Sequence, residues 1–376
     1  ILFVYCPAGH SMLEIRNLCL EAGSFSLSDI SVTVPSSSCH VILGPTGSGK
    51  SLLLESLIGL RKHKSGQIFL DGHDITGLPI EKRKLSYVPQ DLALFPHMTV
   101  RENIFYPIRM RSNGKGRQNG IVEELVEYLG IGHLLDRSIK NLSGGERQRI
   151  ALARAVASGS GYLILDEPLS ALHESLKRQL WHVLKILQEH YKLGILTVTH
   201  DLDEAFFLAD SISIVLEGRI WRQGSKEEVY AEPVNLEVAE FLGITNLFSS
   251  RTIAKEDDSI IAYCDDLNIK LRLSADALGS FREQGSVFFA GIRSQDVKVI
   301  MPTDLQSETS NVIKGTIKNT FGTGALLTLV VSVADSAKSI EAVVLSSEAR
   351  KIALSAGNSA LIILPEECLF AVTPYS

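Results

Sequence analysis

Residues 44–51, reading GPTGSGKS, carry the clearest chemistry in the chain. They match G-x-x-x-x-G-K-[ST] at Gly44, Gly49, Lys50 and Ser51. Glycines let a backbone wrap closely around an anion, so that successive N–H groups of Thr46, Gly47, Ser48 and their neighbours form a cradle for phosphate oxygens. Proline lacks that donor, so at Pro45 the contribution is shape alone. Lys50 supplies positive charge to the outer phosphates of a nucleotide, and the Ser51 hydroxyl suits Mg2+. Leu52, Leu53, Leu54, Leu57 and Ile58 recur as a helix requires, so the phosphates would lie on a helix N-terminus. With 29 Gly in 376 residues, a chance match is expected only roughly 0.01–0.02 times per chain.

Two adjacent acids, Asp166 and Glu167, end the apolar run at 162–165. Asp166 at a strand end beside a phosphate loop suits holding Mg2+ from behind, and Glu167 can polarise an attacking water. Phosphoryl transfer needs that arrangement, because the protein positions and neutralises charge and does little covalent work. A second anion-competent helix start lies at Ser143-Gly144-Gly145-Glu146. Ser143 can cap the helix while the glycines leave N–H groups open. By local physics this is either a second phosphate site or a helix cap. One domain has no use for two such sites on one nucleotide, and the tension resolves if the second serves a nucleotide held by another copy.

These groups need a sheet to hold them. Cys39-His40-Val41-Ile42-Leu43 suits a buried strand leading into the loop. Upstream, Leu13, Ile15, Leu18, Leu20, Ile30, Val32 and Val34 alternate, which predicts antiparallel strands, with Pro35 and the serines after it as a turn. Short strands are predicted at 67–70 and 86–88, the latter ending at Pro89-Gln90. Residues 100–156 read as mainly helical, interrupted by a polar loop at 112–120. Strand and helix then alternate at 162–165, 176–191, 195–199, 204–209 and 212–216, which predicts a largely parallel sheet covered by helices. After a short helix at 237–242 the pattern changes to alternating strands at 260–263, 269–273, 287–292, 312–317, 325–333, 341–345 and 360–364. That half reads as small β-barrels, two in number, divided around the polar stretch 302–310.

Composition sets outer limits. The length favours two or three domains, and 45% hydrophobic with 21% charged residues is ordinary for a globular chain. A net charge of −6 argues against a nucleic-acid binder, which is usually basic. No apolar run approaches the length that spans a bilayer. The five cysteines, Cys6, Cys19, Cys39, Cys264 and Cys368, are scattered without C-x-x-C spacing and read as free thiols of a reducing compartment. The opening ILFVYCP lacks the basic lead of a secretory signal, and residues 1–11 read as an extension before a fold that begins at Met12.

The string Leu142-Ser143-Gly144-Gly145-Glu146-Arg147-Gln148, the phosphate loop before it and Ile164-Leu165-Asp166-Glu167-Pro168 after it resemble the ATP-binding-cassette (ABC) ATPases. The resemblance covers roughly residues 12–243 and implies an α/β P-loop cassette with a helical subdomain at about 97–160. It implies that two cassettes pair head to tail, each ATP with its Mg2+ lying between one phosphate loop (44–51, with Leu52 following) and the partner's 143–146 segment. Gln90, in Tyr87-Val88-Pro89-Gln90, matches the loop that contacts Mg2+ and water and senses membrane subunits. His200, in Thr197-Val198-Thr199-His200-Asp201, matches the switch histidine that holds the γ-phosphate and orients Glu167. Where the family usually has Asp after the acidic pair, this chain has His173. The position of the family's adenine-stacking aromatic falls on Ala22, with Phe25 the nearest ring and better suited to the core.

Residues 41–241 resemble importer ATPases, and Gly291-Ile292-Arg293-Ser294-Gln295-Asp296-Val297 is similar to a turn of the accessory β-domain of such importers. The stretch 312–331 followed by Ser346-Ser347-Glu348-Ala349-Arg350 resembles its oxyanion-binding version, found with molybdate and tungstate importers. The fold expected of residues 244–376 is thus an all-β OB-like (TOBE/Mop-like) domain of two lobes. Pro365-Glu366-Glu367 stands where the oxyanion version carries Lys and Ser, and carboxylates repel molybdate, which leaves this half a scaffold of the dimer. The resemblance implies an ATPase peripheral to the cytoplasmic face of the membrane. Its expected partners are two permease subunits, with an extracytoplasmic binding protein acting through them. Molybdate or tungstate is the expected cargo, with sulfate, ferric iron, polyamine or sugar as alternatives. A soluble cassette ATPase of DNA repair or translation, and a non-enzymatic oxyanion binder, are the other classes weighed. The first lacks its usual second cassette or coiled-coil insertion, and the intact Lys50, Glu167 and His200 argue against the second.

Overall fold

Apolar alternation and continuous apolar runs give two different kinds of sheet here. The structure, a computed structural model, describes residues 11–110, 119–170, 172–256, 259–275, 283–300, 310–334, 336, 338–351 and 354–374. The chain divides into two units, Ile1–Val229 and Tyr230–Ser376, ahead of the change of pattern at Gly243.

The first unit runs β1 (Met12–Ala22), β2 (Phe25–Pro35), β3 (Cys39–Leu43), α1 (Lys50–Ile58), β4 (Ser65–Leu70), β5 (His73–Asp74), β6 (Leu85–Val88), α2 (Val100–Met110), α3 (Asn119–Tyr128) and α4 (Gly144–Ala157). It continues with β7 (Tyr162–Asp166), α5 (Glu174–Tyr191), β8 (Gly194–Thr199), α6 (Leu202–Leu208), β9 (Ser211–Leu216), β10 (Arg219–Ser225) and α7 (Lys226–Ala231), within which the units meet. A four-stranded antiparallel sheet has the order β2-β1-β4-β5. Its alternating Leu13, Ile15, Leu18, Leu20, Ile30, Val32 and Val34 are all buried, as a sheet with one wet face requires.

The second sheet has the order β10-β9-β3-β8-β7-β6. β3 pairs in parallel with β8 and β9, and β7 with β6 and β8, while β10 closes the edge antiparallel. Every residue of β3, β7 and β8 is buried, which is why these strands lack alternation. Parallel pairing brings the C-terminal ends of β3, β6, β7 and β8 to one edge, the place where such sheets bind ligands.

Two buried polar side chains stiffen this frame. His40 on β3 bonds through Nδ1 to Ser211 Oγ at 2.7 Å and through Nε2 to Ser213 Oγ at 2.8 Å, both on β9. Burial lowers its pKa to about 4, so the ring is neutral. Arg83 donates to the carbonyls of Ser56 and Leu57 in the last turn of α1 and to those of Thr76 and Leu78. Its charge thus sits at the negative end of the helix that follows the phosphate loop.

The helical part is α2, α3 and α4. The expected loop at 112–120 falls largely outside the described residues. The segment after Gln90 is tied to these helices. Asn103 of α2 accepts from Phe95 N–H and donates to Phe95 and Thr99 carbonyls. Arg154 of α4 donates to the carbonyls of Leu92 and Ala93.

The second unit holds α8 (Leu236–Phe241), β11 (Asn246–Lys255), β12 (Ser259–Cys264), β13 (Ile269–Ser274), β14 (Val287–Ile292), β15 (Lys298–Ile300), β16 (Val312–Thr323), β17 (Leu326–Val333), β18 (Ser339–Leu345), α9 (Ser346–Lys351), β19 (Ser359–Ile363) and β20 (Phe370–Val372). Two five-stranded antiparallel sheets, β13-β12-β11-β14-β20 and β15-β19-β16-β17-β18, bury one continuous cluster that includes Phe248, Leu271, Phe288, Val331, Ile340 and Ile362. The lobes interleave in sequence: β15 precedes the polar stretch yet belongs to the second sheet, and β20 returns to the first. Most of that stretch, 301–309, lies outside the described residues, as do residues 1–10. Glu366 faces Arg272, with Nε at 3.4 Å, so its charge is partly compensated. Among the described residues no helix is long and apolar enough to cross a membrane, and Cys19, Cys39, Cys264 and Cys368 are free thiols.

Candidate nucleotide-binding site

The loop between β3 and α1 has the backbone that its glycines allow. Gly47 and Gly49 sit at φ 86° and 95°, the left-handed region that favours glycine. Gly44 has no room for a side chain, since a Cβ there would lie 2.2 Å from the Val215 carbonyl oxygen. Its N–H donates to the Thr199 carbonyl at 3.2 Å, tying the loop to the end of β8, and Ser48 N–H donates to Pro45 O at 3.2 Å. Pro45, Thr46 and Gly47 are exposed. Ser48 is buried, and its Oγ has no hydrogen-bond partner among the described residues, an orphan that a phosphate oxygen would satisfy.

Lys50 opens α1 and is 4% exposed. Its Nζ donates to the carbonyls of Gly44 and Pro45, each at 2.8 Å, and lies 3.8 Å from Glu167 Oε1. Burial lowers its pKa, while Glu167 and Asp166 pull it back up. Leu52, half-buried on the first turn, packs on the cassette core.

Ser51 Oγ donates to Asp166 Oδ1 at 2.9 Å, and Tyr87 OH donates to Asp166 Oδ2 at 3.2 Å. Burial raises the Asp166 pKa, the Ser51 and Tyr87 bonds lower it, and Glu167 and Glu55 raise it further. Hydroxyl and carboxylate oxygens suit Mg2+. Among the described residues no group of three or more His, Cys, Asp or Glu side chains could hold a metal alone. Gln90 is exposed just past β6, where the Val88–Leu165 pairing sets it beside the Asp166-Glu167 turn.

Glu167 has φ 43°, a conformation that costs a non-glycine residue about 1–3 kcal/mol and clusters at functional sites. Its N–H donates to Val198 O at 3.1 Å, and its Oε1 lies 3.2 Å from His200 Nδ1. Glu167 therefore stands between the lysine and the histidine at one edge of the sheet, within reach of a water attacking a phosphate held by the loop.

The second helix start is a complete capping box. Ser143 Oγ accepts from Glu146 N–H, and the Glu146 carboxylate accepts from Ser143 N–H at 2.7 Å and Oγ–H at 2.8 Å. These bonds hold the Glu146 carboxyl below its usual range. A Cβ on Gly144 would meet Leu172 at 3.3 Å and one on Gly145 would meet Leu176 at 3.6 Å. No hydrogen bond or ion pair among the described residues joins this segment to the 44–51 loop, so within one chain the structure does not unite the two expected halves. His173 occupies the N-cap of α5 and makes no side-chain capping bond. Phe25 lies against the phosphate loop, its Cε1 2.6 Å from where a Gly49 Cβ would be, and is half-buried on the core with Ala22.

Tyr87, Thr199, Asp201 and Glu204 join the site without a motif of their own. Tyr87 looks like any strand residue until β6 pairs with β7. Thr199, Asp201 and Glu204 flank His200 in sequence, and that adjacency is the available signal.

A phosphate loop, an acid pair and a strand-end histidine gathered on one edge of a parallel sheet define a P-loop nucleoside triphosphatase. A family model described as ABC transporter matches residues 27–170. A molybdate/tungstate import ATP-binding protein of Pyrococcus horikoshii is 36% identical over 321 residues, 85% of this chain and 89% of the relative. One of the same description from Archaeoglobus fulgidus is 48% identical over 207 residues, 55% of this chain and 85% of the relative. A spermidine/putrescine import ATP-binding protein of Aggregatibacter actinomycetemcomitans is 39% identical over 251 residues, 66% of this chain and 68% of the relative. The solved ADP conformation of an ATP-binding cassette of an ABC transporter covers 62% of this chain and 98% of its own at TM-score 0.54 and 23% identity. The dimeric structure of a bacterial ABC transporter cassette covers 57% of this chain and 98% of its own at TM-score 0.51 and 25% identity. The chain belongs to the ABC transporter family. It is an ATPase of that family, an ATP-binding import protein.

Proposed function

We propose that this ATPase energises the uptake of molybdate or tungstate. The observation that carries the cargo is the extent of likeness to the Pyrococcus horikoshii protein: its 321 aligned residues exceed the first unit and reach well into the strand-rich one. The polyamine relative aligns over 251 residues.

In this reading the 44–51 backbone and Lys50 bind the phosphates of ATP. Ser51 and Gln90 hold Mg2+, with Asp166 fixing Ser51 from behind; when bound, the ion neutralises charge on the phosphate oxygens. Glu167 accepts the proton of the attacking water, and His200 orients Glu167 and holds the γ-phosphate. Two copies pair, and Ser143, Gly144, Gly145 and Glu146 of the partner subunit complete each site. The dimeric cassette among the solved structures supports this pairing. Two permease subunits anchor the pair at the cytoplasmic face of the membrane, and an extracytoplasmic binding protein delivers cargo through them. The second unit, of TOBE/Mop-like kind, scaffolds the dimer.

The test is reconstitution with a permease and binding protein in vesicles, scoring phosphate release as molybdate, tungstate, sulfate and spermidine are offered. Stimulation by molybdate or tungstate is expected. Stimulation by spermidine alone would move the cargo to the polyamines.

A further inference from the structure

Behind the switch histidine lies a closed ring of hydrogen bonds that the catalytic account does not use. Asp201 N–H donates to Thr199 Oγ1 at 3.1 Å, Thr199 Oγ1–H donates to Glu204 Oε2 at 3.1 Å, and Glu204 N–H donates to Asp201 Oδ1 at 3.1 Å. Thr199 and Glu204 are 2% and 1% exposed. The ring encloses the turn that carries His200. Its Thr199 residue also accepts the Gly44 N–H through its carbonyl, so the ring is fastened to the start of the phosphate loop. Lys177 of α5 clamps Asp201 from outside at 2.7 Å.

We propose that Glu204 is a positioning residue for ATP hydrolysis, fixing through Thr199 the turn that presents His200 to Glu167. Glu204 Oε1 is buried without a hydrogen-bond partner among the described residues. An ionised carboxylate with an orphan oxygen is costly in such a place, whereas a carboxylic acid is tolerable. The groups facing it are Asp201 on its own turn, Lys177 from α5, Glu167 from the end of β7 and Cys39 from β3. Burial raises the Glu204 pKa to about 8; the Thr199 bond and Lys177 lower it, while Asp201 and Glu167 raise it. The Cys39 thiol, itself pushed up to about 12 by burial, adds no charge. Ionising Glu204 puts a negative charge beside Asp201 and Glu167, draws water to the ring and loosens the His200 turn.

The inference rests on the ATPase reading and is tested by steady-state phosphate release from the full chain between pH 6.5 and 9.5. The wild type should lose kcat on the alkaline side with a midpoint near 8. E204Q, neutral and of the same shape, should carry that fall to higher pH. Every other titrating group is common to the two proteins, so the difference between the profiles belongs to Glu204. T199V and E204A should lose kcat by about 10- to 100-fold, the cost of misplacing a reacting group, with KM for ATP unmoved. Superimposed wild-type and E204Q profiles, or full kcat in both T199V and E204A, would overturn the role of Glu204 alone. Absence of phosphate release from the wild type as well would overturn the ATPase reading with it. Should E204A not fold, the E204Q profile still decides.

Discussion

Acidification should unlock β3 from β9 before it harms the nucleotide site, because His40 is the buried base between them. In the folded chain its pKa falls from 6.5 to about 4, and at about 1.4 kcal/mol per unit that displacement corresponds to about 3 kcal/mol. The sign follows from which state takes the proton. Below pH 6.5 the unfolded chain protonates this histidine and the folded chain does not. The stability that His40 contributes is therefore present above pH 6.5 and is lost as the pH falls towards 4. Both tryptophans, Trp181 and Trp221, lie in the first unit, so urea unfolding followed by their fluorescence reports that unit. Between pH 7 and pH 5 the wild type should lose about 2 kcal/mol more than His40→Gln, which cannot titrate. The variant starts lower at pH 7, since it misplaces bonds to Ser211 and Ser213. Parallel loss of stability in the two proteins would refute the assignment of a neutral, buried ring.

The catalytic account makes its own demands. Glu167→Gln should still bind ATP yet release phosphate about 10²- to 10⁴-fold more slowly, as loss of a general base predicts, and should elute as a dimer with ATP by size-exclusion chromatography. Near-normal turnover would remove Glu167 from its role. His173→Asp supplies the missing cap of α5 and a favourable charge at its N-terminus, and should raise the urea midpoint by a stabilisation of about 1 kcal/mol; an unchanged midpoint would show that the exposed helix start is already satisfied by solvent.

What was legible in the sequence was legible for local reasons. A phosphate loop declares itself because glycine alone tolerates the φ of Gly47 and Gly49. The acid pair shows because a fully buried strand must be apolar until it ends, and Ser143 with Glu146 reads as a capping box without any tertiary knowledge. The residues missed depend on what packs on them. Glu204 opens a short helix with Asp203 and looks like a solvated face, yet α6 buries it against β8 and β3. His40 looks like a polar break in a strand until β9 brings Ser211 and Ser213 to both ring nitrogens. β11 is hard to see in the sequence because Asn246, Ser249, Ser250 and Arg251 blur its alternation, although Asn246 and Ser250 are buried. At three residues, β15 is too short to show a period.

Within the strand-rich unit, two segments far apart in sequence are tied together. Thr373, just past β20, meets Asn235 ahead of α8 in a parallel bridge, accepting Leu236 N–H on its carbonyl at 3.2 Å. The bridge therefore closes a loop of chain that holds both five-stranded sheets. Opening at that bridge would release α8 and β20 together, so their backbone amides should exchange with solvent as one cooperative group.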